Sequence, residues 1–131
     1  MITSLIIDDE AHNLRNIKNL LEEHCPIITI IGQCSSADEA LIAIRENQPQ
    51  LIFLDVKMMN LDGVETAKII RGMNKDVVIC FATSYEDYAI NAFHVEAIDY
   101  LIKPVAYDKM KRILDRGIIN IRYSVYISYG I

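Results

Sequence analysis

The stretch Leu51-Ile52-Phe53-Leu54-Asp55 decides how this chain folds. Four large apolar residues in succession predict a strand buried on both faces, as in a parallel sheet. A carboxylate closes the run. At the C-terminal end of a central parallel strand, Asp55 points into the crevice where open α/β sheets bind ligands. Taken alone, Asp55 reads equally well as a plain turn residue, since Asp often ends strands. Its neighbours in the sheet decide between the two readings.

Upstream, Ser4-Leu5-Ile6-Ile7 is a short apolar run that ends in Asp8-Asp9-Glu10. From Glu10 to His24, Leu14, Ile17, Leu20 and Leu21 recur at helical spacing. Pro26 helps stop that helix, and the β-branched residues from Ile27 to Ile31 predict a second strand. Ser35 or Ser36 caps the next helix, and Ser36 to Glu39 has capping-box spacing. Ala40, Leu41 and Ile44 form its apolar stripe, and Asn47-Gln48-Pro49 ends it.

Downstream of Asp55, a loop from Val56 to Asp62 leads to Gly63 and a helix to about Met73, with Val64, Ala67, Ile69 and Ile70 as its apolar residues. Val77 to Ala82 predicts a fourth strand that ends in Thr83-Ser84. Tyr85 to His94 is a short helix, Ala97 to Ile102 a fifth strand ending in Lys103-Pro104, and Asp108 to Arg116 a fifth helix. Strands alternating with helices imply a parallel sheet covered on both faces. The tail breaks this pattern. From Ile119 to Tyr129 apolar and other residues alternate strictly, which predicts a half-buried strand. Such a strand pairs with the parent sheet, pairs between two chains, or begins a second domain.

Composition bounds the function. The 131 residues suit one domain, and 52% apolar with 24% charged content fits a globular protein. A net charge of −5 argues against nucleic-acid binding through a basic face. The N-terminus lacks signal-peptide features and no apolar run is long enough to span a bilayer, so a cytoplasmic location without membrane contact is expected. Cys25, Cys34 and Cys80 lack metal or redox spacing and read as apolar residues in a reducing compartment. His12, His24 and His94 read as ordinary helix residues.

The chemistry gathers at the strand ends. Strand one supplies Asp8 and Asp9, strand three Asp55, strand four Thr83 and strand five Lys103, all on one edge of a parallel sheet. Carboxylates packed together repel one another. A hard divalent cation such as Mg²⁺ relieves that repulsion. An ammonium pairs with phosphate and a hydroxyl donates to a phosphoryl oxygen. Together these groups make a phosphoryl-transfer site with Asp55 as nucleophile.

The residues Ile6-Ile7-Asp8-Asp9-Glu10, Leu54-Asp55-Val56-Lys57-Met58 through Leu61-Asp62-Gly63, Ala82-Thr83-Ser84 and Asp99-Tyr100-Leu101-Ile102-Lys103-Pro104 resemble a response-regulator receiver domain of bacterial two-component signalling. The stretch from Ser84 to Ala89, with Ala92-Phe93 and Ala97 to Leu101, resembles receivers attached to LytTR-type output domains in particular. The resemblance implies a flavodoxin-like (βα)5 three-layer sandwich with sheet order 2-1-3-4-5, a receiver domain over 1–117 and a strand-like tail or lead into an output domain over 118–131. It makes Asp55 the phosphoacceptor, Asp8 and Asp9 the acidic Mg²⁺ site, and Lys57 a backbone-carbonyl ligand. It makes Thr83 and Tyr100 a switch pair, and Lys103 the lysine that meets the phosphoryl group. It implies a histidine kinase as phosphodonor, and DNA contact only through an output domain that this chain does not contain.

Repacking of the face made by the fourth helix, fifth strand and fifth helix is expected to create a binding surface, plausibly for a second copy, with Tyr88 and Phe93 as anchors. The tail offers a second route to a homodimer. Tyr85 and Lys57 flank the expected path of attacking water. Met59 stands where many receivers carry Pro, which leaves that loop less constrained. Two alternatives remain open at this point: a receiver-like interaction module that works without phosphorylation, and an aspartyl-nucleophile phosphatase. The second lacks the acid that such phosphatases carry two residues after the nucleophile, where this chain has Lys57.

Overall fold

The structure is a computed structural model that describes residues 1–56, 63–83, 99–103, 105–112 and 114–116. Lys57, the loop to Asp62, the helix expected over 85–94 and the tail over 118–131 lie outside the described residues.

Five parallel strands form one sheet: β1 (Ile2–Ile7), β2 (Ile28–Cys34), β3 (Leu51–Leu54), β4 (Val78–Thr83) and β5 (Asp99–Ile102). Their order is β2-β1-β3-β4-β5, the flavodoxin-like arrangement expected. The crossovers include α1 (Ala11–His24), α2 (Ala37–Asn47) and α3 (Gly63–Met73). Residues 107–112 and 114–116 are helical and follow β5.

The sheet separates two apolar cores. Ile52 and Leu54 of β3 join Leu5, Ile7, Ile79 and Phe81 against α2 and α3. Leu51 and Phe53 join Ile6, Cys80 and Leu101 against Ile17 and Leu21 of α1 and Met110 and Leu114 of the last helix. This is why β3 carries no polar residue. Successive side chains point to opposite faces, and each face is covered.

The helix stripes follow the same logic, with one correction. Ala67 and Ile70 of α3 are fully buried, but Ile69 is 46% exposed. Adjacent residues on a helix point about 100° apart, so a stripe that buries Ala67 and Ile70 turns Ile69 outward. On α2, Ser36 is the cap: its hydroxyl accepts from the Glu39 N–H at 3.2 Å. The Glu39 carboxylate in turn receives the Ser35 and Ser36 hydroxyls at 3.0 and 3.3 Å.

Strand β2 runs three residues past the expected Ile31, to Cys34. Its register against β1 shifts between Ser4 and Leu5, so that Ser4 pairs with Ile30 and Leu5 with Gly32. A Cβ on Gly32 would lie 2.9 Å from the Leu5 side chain. Glycine there lets the irregular strand approach β1 and continue the ladder to Cys34. That continuation fixes the backbone beside Asp8.

Candidate functional site

The C-terminal edge of the sheet holds the acidic residues. The β1–β3 ladder ends at the pair Ile7 and Leu54. One residue further, Asp55 donates its backbone N–H to Ile7 O at 2.9 Å, and Asp8 donates its N–H to Cys34 O at 3.0 Å. Both aspartates are thereby held by sheet-like hydrogen bonds at the ends of adjacent central strands. Thr83 pairs with Ile102 in the β4–β5 register, and Tyr100 with Phe81. The backbone therefore sets Thr83 at the same edge, and Lys103 follows directly after β5.

The two oxygens of Asp8 have different roles. Oδ1 accepts the Glu10 N–H at 3.0 Å, where α1 begins. This bond sets the orientation of the carboxylate. Oδ2 faces Lys103, whose Nζ lies 2.5 Å away and also 3.2 Å from Asp55 Oδ1. The side chains are 1%, 7% and 9% exposed for Asp8, Asp55 and Lys103. Asp8 Oδ2 is buried and makes no hydrogen bond. The ammonium is close in charge, but its direction does not satisfy the oxygen's lone pairs.

Asp8, Asp9 and Asp55 each offer an oxygen, and these three atoms lie within 4.8 Å of one another. Three carboxylates against one ammonium leave the cluster net negative. Hard oxygen ligands, a surplus of negative charge and one buried oxygen without a hydrogen bond suit a divalent cation such as Mg²⁺.

Sequence reasoning identified the strand-end residues and the structure brings Asp8, Asp9, Asp55 and Lys103 together. It did not identify the Glu10 N–H as the group that orients Asp8. Nor did it identify Asn16, whose side chain donates to Val105 O at 3.5 Å and ties α1 to the backbone just past Lys103. Position next to Asp8 was a signal for Glu10; Asn16 gave none.

Residues 4–115 match the response regulator receiver domain. The chain belongs to the response regulator receiver family. It is 40% identical over 118 residues to an uncharacterized response regulatory protein of Shewanella oneidensis, covering 88% of this chain and 48% of that protein. It is 34% identical over 116 residues to the sensory transduction protein LytT of Bacillus anthracis (88% and 47% covered) and to the transcriptional regulatory protein BtsR of Escherichia coli (88% and 48%). The fold matches the crystal structure of the response regulatory domain of protein mrkE from Klebsiella pneumoniae with a TM-score of 0.85 and 26% identity, over 93% of this chain and 99% of that one. This receiver spans about half the length of the curated relatives it matches. Among its described residues no helix is long and apolar enough to cross a membrane.

Proposed function

We propose that this receiver is a phosphorylation-activated switch in which Asp55 accepts a phosphoryl group from a sensor histidine kinase. The observation that carries the reading is the Lys103 ammonium, 3.2 Å from Asp55 Oδ1 within a buried acidic cluster at the C-terminal edge of the sheet. A carboxylate oxygen of Asp55 forms the new bond to phosphorus as the bond from phosphorus to the donor nitrogen breaks. Asp8, Asp9 and Asp55, with the backbone carbonyl of Lys57, are the ligands for Mg²⁺, which when bound offsets charge on the transferring oxygens. Lys103 donates to one of those oxygens. The chain performs this chemistry on itself and is not a turnover enzyme.

Thr83 stands at the same edge and donates its hydroxyl to the modified aspartate. Tyr100 fills the space that Thr83 vacates, which repacks the face of the fourth helix, β5 and the last helix. This biases a two-state equilibrium. The altered face binds a partner, a second copy being the first candidate, in the cytoplasm. The family membership and the regulator names among the relatives support a transcriptional output carried by a further domain, to which residues 118–131 lead from a receiver domain over 1–117.

Beryllofluoride, a phosphoryl mimic, tests the site. With Mg²⁺ it should raise the melting temperature of the wild type, and it should leave Asp55→Asn unchanged. An equal rise in both proteins would remove Asp55 from the role.

A further inference from the structure

We infer that Lys103 and the metal exclude one another at Asp8, so that metal loading frees Lys103 for the phosphoryl group. The inference rests on the proposed metal site. Its starting point is the asymmetry of the lysine contacts: Nζ lies 2.5 Å from Asp8 Oδ2 but 3.2 Å from Asp55 Oδ1. In this state the ammonium belongs first to a metal ligand and only second to the phosphoacceptor.

Asp8 has no other oxygen to give. Oδ1 is engaged by the Glu10 N–H at the start of α1. Oδ2 is the atom without a hydrogen bond, and it lies in the cluster shared with Asp9 and Asp55. A magnesium ion sits about 2.1 Å from a ligand oxygen. With Lys103 still 2.5 Å from Oδ2, the two cations could be no more than about 4.6 Å apart. Buried like charges at that separation repel strongly. The ammonium must therefore leave Oδ2 when the ion arrives. Its remaining printed carboxylate contact is Asp55 Oδ1, so it retreats toward the acceptor, where the phosphoryl oxygens will form. Lys103 thus stabilises the metal-free cluster, opposes metal entry, and is delivered to its catalytic partner by that entry.

Calorimetric titration with MgCl₂ alone tests this on wild type, Lys103→Met and Lys68→Met. The last removes an exposed ammonium paired with Glu65 on α3 and controls for net charge. Folded Lys103→Met should bind Mg²⁺ at least about 5-fold more tightly than wild type, the low end of ordinary coupling between sites. Lys68→Met should match wild type. Equal or weaker binding by Lys103→Met overturns the inference while leaving the metal site standing. No binding by either wild type or Lys103→Met overturns both. Should Lys103→Met fail to fold, the wild type still decides. Exchange of the Lys103 ammonium protons with water, followed by ¹⁵N NMR, should speed up as Mg²⁺ saturates. Unchanged or slower exchange counts against release.

Discussion

Asp55 donates its backbone N–H to the carbonyl of Ile7 at 2.9 Å. This bond carries the β1–β3 ladder one residue past the last paired strand residues and sets Asp55 beside Asp8. The acidic cluster is thus positioned by backbone, before any side chain contributes. Side-chain changes in the cluster should alter chemistry and leave the sheet intact.

Asp8→Asn is the most direct change of that kind. It keeps the size of the side chain and the acceptor for the Glu10 N–H, but removes the charge that faces the cation site. Mg²⁺ affinity should fall by at least about tenfold, since altering even the outer partners of metal ligands costs that much. Far-UV circular dichroism should be unchanged. Calorimetry with MgCl₂ measures the first, and retained affinity would remove Asp8 from the site.

Ile69 and Ile70 separate surface from core on α3. Ile70 is fully buried and Ile69 is 46% exposed. Ile70→Ala should cost about 2–5 kcal/mol through lost burial and a cavity. Ile69→Ala should stay within about 0.5 kcal/mol. Urea unfolding of the two variants measures both values, and equal losses would contradict the packing described.

Cys34 is a free, buried thiol, and burial, aided by the Glu39 charge, pushes its pKa above the usual thiol range. The folded protein then holds the proton more tightly than the unfolded chain does. The stability this contributes is complete below the usual thiol range and is lost as pH rises through the raised value. Urea midpoints should therefore fall between neutral and strongly alkaline pH, by less in Cys34→Ala than in wild type. At pH 8 a thiol reagent should label Cys34 in urea and leave it unlabelled in the folded protein.

Much of this molecule was legible in its sequence, for identifiable reasons. Strand β3 was readable because both of its faces are covered, so no polar residue interrupts it. The site residues were readable because a parallel sheet collects its strand ends on one edge. Asp8, Asp55 and Lys103, far apart in sequence, meet there. The limits were also physical. Two adjacent isoleucines on α3 do not announce which one faces inward. Gln33 interrupts the apolar run of β2, and an irregular register is what lets the strand continue to Cys34. Strand-end position places Lys103 near the carboxylates. That it approaches Asp8 more closely than Asp55 depends on the Glu10 bond, which turns Oδ2 toward the ammonium, and no spacing rule encodes that.

The most direct measurement is the intact mass of the protein after incubation with acetyl phosphate, with and without Mg²⁺, in wild type and Asp55→Ala. If Asp55 is the phosphoacceptor, wild type gains a single phosphoryl adduct only when Mg²⁺ is present, and Asp55→Ala gains none. An adduct on folded Asp55→Ala, or one in wild type that forms equally well without a divalent cation, would contradict the assignment.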